Sequence, residues 1–97
     1  MEHKTEYYIV SCRLKEVKAL SGALITKEDT TAWLGETTEG YPCVTRDKLG
    51  AFKFPSIPLF EAICAWDGMP WYCRIKDFKI IHIEEIRTDI QRTESPL

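Results

Sequence analysis

The stretch from Phe54 to Cys73, FPSIPLFEAICAWDGMPWYC, constrains the fold more than any other: it holds three of the five prolines, two of the three tryptophans and no basic residue. So many bulky apolar groups in one run must either nucleate a core or stay partly exposed for a partner. Ser56 is placed to cap a helix, and Pro58 falls in its first turn, where a missing N–H is not needed. Ile57, Phe60 and Cys64, with Leu59, Ile63 and Trp66, spread round a wide apolar face. The expected core helix covers Ser56 to Ala65 and ends near Asp67-Gly68. The sharper question falls on Trp66 to Tyr72, a loop whose aromatics either close that core or meet a partner.

A chain of 97 residues has room for one modest core, so positions 1–97 read as a single domain, with an ordered core over 6–87 and a polar tail over 88–97. Hydrophobic residues at 44% offer enough apolar surface to offset ordering the backbone. A formal net charge of −2 is too weak for a mimic of DNA and lacks the basic excess that draws a protein to a phosphate backbone. No apolar run reaches the roughly 18 residues of a membrane span, and the leader MEHKTEYYIV lacks the pattern of a signal peptide. A cytoplasmic protein without membrane contact is expected. Cys12, Cys43, Cys64 and Cys73 each sit in an apolar or strand-like run and read as buried free thiols rather than two disulfides.

Period-two alternation dominates elsewhere. Tyr7 to Leu14 predicts a strand after a frayed Met1 to Glu6, and Lys15 to Ile25 fits both a helical stripe of Leu14, Val17, Leu20 and Leu24 and, preferred, a strand, turn, strand around Ser21-Gly22. Thr26 followed by Asp29 matches a capping pattern and predicts a short helix through Ala32, Trp33 and Leu34 that stops at Gly35. Tyr41-Pro42 opens an extended piece through Cys43, Val44 and Thr45, and Asp47 to Gly50 reads as a turn. Trp71 to Ile75 alternates, Lys76-Asp77 is expected to turn the chain into a hairpin, and Phe78 to Ile86 predicts a central strand because both its faces are apolar. The sum is an α+β fold: a mainly antiparallel sheet of about four or five strands with two short helices.

Chemistry has few places to sit. The best nucleophile and base set, Cys64 or Cys73 with His82 and Asp67, carries no family signature, so no catalytic residue is assigned and the chain is read as no enzyme. His82 is expected half-buried and hydrogen-bonded on a strand. The cysteines lie 31, 21 and 9 positions apart without C-x-x-C or H-x-x-x-H spacing, and the glycines are scattered, so neither metal nor cofactor is expected. Arg46, Lys48 and Lys53, near Tyr41, Phe52 and Phe54, support the alternative function of a small single-stranded nucleic-acid-binding module. Trp66, Asp67, Met69, Pro70, Trp71 and Tyr72 are the candidate partner-binding residues, because tryptophan, tyrosine and methionine desolvate large areas at low entropic cost. The Met69-Pro70 bond stays open between cis and trans.

In size, lack of a catalytic motif and the crowding of aromatics in AWDGMPWYC, the chain resembles the small proteins with which bacteriophages block host defence, the anti-RecBCD inhibitors among them. That resemblance implies a non-enzymatic modulator that binds a host protein or multisubunit complex such as a nuclease. It carries over no catalytic residue, and the contact residues above come from composition.

Overall fold

Alternation in the first strand buries both of its faces. In the computed structural model, which describes residues 4–86 and 91–97, β1 spans Lys4–Leu14, with Val10, Cys12 and Leu14 buried on one side and Tyr7 and Ile9 on the other. A strand covered on both faces belongs in the middle of a sheet. Here β1 is third in a five-stranded antiparallel sheet ordered β5-β4-β1-β6-β7, where β4 is Thr31–Glu36, β5 Pro42–Thr45, β6 Ile75–Ile86 and β7 Gln91–Pro96. A separate two-stranded hairpin joins β2 (Val17–Lys18) to β3 (Leu24–Thr26). The long β1–β6 ladder, from Lys4 opposite Ile86 to Leu14 opposite Ile75, elongates the molecule to 58 × 25 × 21 Å.

β1 and β4 pair only over Ser11–Arg13 and then separate. The segment Ala51 to Phe54 fills the gap: Tyr8 and Phe54 exchange backbone hydrogen bonds at 2.8 Å, and the Phe52 N–H donates to the Leu34 carbonyl at 2.8 Å. Phe54 thereby enters the larger core, with Val10, Cys12, Leu14, Ala32, Leu34, Ile63, Trp66, Cys73 and Ile75. The opposite face holds a smaller core of Tyr7, Ile9, Ala51 and Ile83, flanked by Trp33 and Ile81.

Several expectations are corrected. The fold is closer to all-β than to α+β with two helices: among the described residues the helices are one 3-10 turn at Lys48–Gly50 and a single α-helix, α1, of five residues, Phe60–Cys64. Thr26 to Gly35 is not a helix. Asp29 turns the chain with φ 64°, Thr26 is drawn to a distant carbonyl, and Ala32 and Leu34 alternate with Trp33 in β4 between the two cores. So few residues between Asp29 and Gly35 could not offset the cost of helix nucleation.

Ser56 caps nothing. α1 starts after Leu59 without a side-chain cap and buries only Ile63, leaving Ile57, Leu59 and Phe60 exposed. Trp71 and Tyr72 form a turn and Cys73 and Arg74 are irregular, so the strand begins only at Ile75. Lys76-Asp77 does not reverse the chain either: the ladder passes from Ser11/Lys79 to Arg13/Lys76, so β6 carries one extra residue and Asp77 adopts φ 49°, a bulge in a continuous strand. β6 does lie between β1 and β7, as a central strand.

The polar tail is ordered in part: Gln91–Pro96 is the edge strand β7, while residues 87–90 lie outside the described residues. Lys4 to Glu6, expected to fray, belong to β1. All four cysteines are free thiols, but only Cys12 and Cys73 are buried; Cys43 is half-buried and Cys64 exposed. Among the described residues no helix is long and apolar enough to cross a membrane.

Candidate protein-binding site

The loop after α1 splits the six sequence-derived contact residues. Trp66 is 9% exposed, and its Nε1–H donates to the Gly35 carbonyl at 2.7 Å, so it closes the core. Its ring packs against Phe52 and Phe54 at centroid distances of 5.7 and 5.4 Å. Asp67 is also internal to the loop: its Oδ1 accepts from the Ile75 N–H at 3.0 Å and pairs with Arg74 at 3.3 Å. Backbone bonds from Gly68 N–H to Cys73 O, 3.1 Å, and from Cys73 N–H to Pro70 O, 2.8 Å, close a tight turn around a cis Met69-Pro70 bond. Gly68, at φ +77°, serves this turn.

What this scaffold presents outward is Met69 at 48%, Trp71 at 61% and Tyr72 at 39% exposure, with Trp71 edge-on to Tyr72 at 5.6 Å. The sequence pattern did not reveal the neighbour that extends the patch. The buried Thr26 hydroxyl donates to the Tyr72 carbonyl at 2.7 Å, which ties β3 to the loop and places Ile25, 40% exposed, beside Tyr72. Between them lies a groove of about 240 Å³, walled by Ile25, Val44, Pro70 and Tyr72, with Cys73 and Leu14 at its base and Arg46 at its rim.

The residues of the nucleic-acid alternative are not assembled into one surface. Arg46 belongs to this groove, whereas Lys48 and Lys53 line a cleft on the other face of the sheet. There Lys48 is paired with Glu94, and the Lys53 ammonium sits 5.0 Å from the centroid of the Tyr7 ring. Phe54 is buried and Phe52 packs against the core, so neither offers a free face for stacking bases.

The nucleophile and base set is likewise dispersed. Asp67 is bound at Ile75, while His82 stands seven positions along β6, roughly 20 Å away at strand rise, where it stacks on Tyr8 at 5.0 Å. Burial pushes the Cys73 thiol up from its usual range, the wrong direction for a nucleophile. His3 lies outside the described residues. The expected hydrogen bond of His82 is corrected too, since its Nε2 is buried without a hydrogen-bond partner among the described residues.

One cluster that only strand register could reveal is Glu6, Glu84 and His82. Glu6 and Glu84 are cross-strand partners, and the three side chains each bring a ligand atom within 4.8 Å of the others. The Lys4 ammonium bridges the carboxylates at 2.9 and 3.4 Å. Its hydrogen bond and charge lower the Glu6 pKa, and Glu6 raises that of Lys4 in return. With a cation of the protein's own between the carboxylates, the cluster reads as a surface ion network.

No family model, no curated protein and no solved structure matches the chain.

Proposed function

We propose that this chain is a non-enzymatic protein-binding module that engages a partner protein through Met69, Trp71, Tyr72 and Ile25. The observation that carries the reading is the Thr26 to Tyr72 hydrogen bond of 2.7 Å, which holds two exposed apolar segments from distant parts of the chain in one fixed surface. Rigid, exposed aromatics lose little entropy on binding and desolvate much area, the combination found at interface centres. The chain's resemblance in size, absence of a catalytic motif and crowding of aromatics to the small phage inhibitors favours a host protein or complex as that partner and modulation of it as the outcome.

The test is site-specific photocrosslinking in bacterial lysate. A benzophenone side chain at position 71 should give one adduct of defined mass, whereas the same group at Glu39, in the exposed loop between β4 and β5, should give none. Tyr72→Ala in the protein carrying the probe at position 71 should abolish the adduct while the protein stays folded. Equal labelling from positions 71 and 39, or an adduct at 71 unaffected by Tyr72→Ala, refutes the reading.

A further inference from the structure

The groove beside Tyr72 is bounded on one side by an unpaired sheet edge, and the two features together define what it fits. Among the described residues β5 is the terminal strand of the sheet and pairs only with β4. The Thr37 N–H donates to the Tyr41 carbonyl at 2.9 Å across the turn, and the register then runs Glu36/Pro42, Gly35/Cys43, Leu34/Val44 and Trp33/Thr45. Antiparallel pairs alternate between exchanging and not exchanging ladder bonds. Gly35/Cys43 and Trp33/Thr45 are therefore the bonded pairs, and Leu34/Val44 is not. The Leu34 carbonyl bears this out, because it faces away from β5 and accepts from Phe52.

The N–H and C=O of Val44 consequently point outward from the edge, and Arg46 follows in the bend just past the last residue of β5. Pro42 is the next outward position, where its missing N–H interrupts no bond of the sheet. On the face above this edge, Val44 and Arg46 reach the groove alongside Ile25, Pro70 and Tyr72. Arg46 is exposed and, among the described residues, forms no ion pair or hydrogen bond with another side chain. A groove with apolar walls and a polar contribution from Thr26 thus has one guanidinium at its rim and the open backbone groups of Val44 along its side.

We propose that the β5 edge captures an extended segment of the partner protein as a sixth strand, with apolar side chains in the groove and an acidic side chain against Arg46. This rests on reading the surface as protein-binding and adds the class of ligand it takes. Backbone pairing supplies affinity, and the pockets for alternate side chains supply selectivity. The guanidinium selects a carboxylate, which it can bind through two parallel hydrogen bonds. A second copy of the chain fits less well. Self-pairing centred on Val44 would set Pro42, which has no N–H to offer, opposite Arg46, and would leave the guanidinium without an acid.

The test uses a library of terminally blocked twelve-residue peptides displayed to the whole protein, with a parallel library bearing free C-termini. Selected blocked peptides should alternate apolar residues around an Asp or Glu. Changing that acid to its amide, or Arg46→Gln in the protein, should each weaken binding by about tenfold or more, as expected for losing a charged hydrogen bond. N-methylation of the peptide backbone at alternate residues should abolish it, and the Val44 amide should gain protection from hydrogen exchange in the complex. No selection, equal binding to the Arg46→Gln variant, a requirement for a free C-terminus, or β5 amides protected by self-association at high concentration would each overturn the proposal. Crosslinking from position 71 without protection of β5 would sink strand capture alone, whereas peptide capture without crosslinking at 71 would sink the aromatic patch alone.

Discussion

The indole N–H of Trp66 donates to the backbone carbonyl of Gly35 at 2.7 Å, joining the turn after α1 to the C-terminal end of β4 across 31 positions of sequence. This bond explains why the two tryptophans of one loop have different roles. Trp66 adds a second donor to a carbonyl that already pairs with Cys43 across the β4–β5 ladder, whereas Trp71, five positions on, packs edge-on to Tyr72 and faces solvent. Trp66→Phe removes one of the two hydrogen bonds that carbonyl accepts and should cost about 0.5–1.5 kcal/mol in urea unfolding. Trp71→Ala should change stability by no more than about 0.5 kcal/mol, so that any loss of binding is separable from loss of fold.

Gly35 is where the backbone must come close. A Cβ there would meet Thr45 Cγ2 at 3.0 Å and the Gly50 carbonyl at 3.2 Å. Gly35→Ala should destabilise the protein by about 1–3 kcal/mol, the usual range for overpacking. Adding Thr45→Ser, which removes the closer of the two contacts, should recover part of the loss; no recovery would show that the Gly50 carbonyl dominates.

Tyr7 should make the fold sensitive to alkali. Burial, with a 2.6 Å hydrogen bond donated to Glu85 as the second cause, pushes its hydroxyl from 10.0 up to about 12. A group that the fold holds protonated contributes stability in full below its unfolded pKa, so this share should disappear as pH rises from 10 to 12. The denaturation midpoint of Tyr7→Phe should fall less than that of the wild type over the same interval. Parallel curves would show that Tyr7 titrates alike in both states.

Thiol reactivity should follow exposure. Iodoacetamide at neutral pH should label Cys64 first and Cys43 next, with Cys12 and Cys73 reacting only after unfolding. Burial pushes Cys12 up to about 11, and Cys73 is raised for the same reason, so neither forms the reactive thiolate readily. Mass spectrometry of partly labelled protein reads the order directly, and early labelling of Cys12 would contradict the described core.

Removing the hydroxyl of Thr26 should loosen the surface it anchors. Thr26→Val deletes the donor to Tyr72 and should cost about 1 kcal/mol or somewhat more, since the site is buried. Faster hydrogen exchange at Gly68 and Cys73, whose amides close the same turn, is the specific signature.

Local alternation by itself determined much of the sheet. Tyr7 to Leu14 and Phe78 to Ile86 are legible as strands because a period of two depends only on neighbouring residues, and apolar groups on both faces marked Phe78 to Ile86 as interior; the interior place of β1 emerged from the sheet order. The exposed aromatics of the candidate site were legible as a composition, and Met69, Trp71 and Tyr72 do face outward.

Tertiary structure decided the rest, and in each case a distant partner settled the matter. Thr26 and Asp29 satisfy a capping pattern, yet the Thr26 hydroxyl finds the Tyr72 carbonyl 46 positions away. Lys76-Asp77 resembles a turn, but β1 runs long enough beside it to hold the chain in one strand and absorb the extra residue as a bulge. Gln91–Pro96 is too polar to read as a strand, and it is ordered by its ladder to β6 rather than by burying side chains. Ile25 and Arg46 join the loop only because β3 and β5 are carried to opposite sides of one groove. Hydrogen bonds and packing between residues far apart in sequence leave no periodic trace in it, so the placement of the site belongs to the fold.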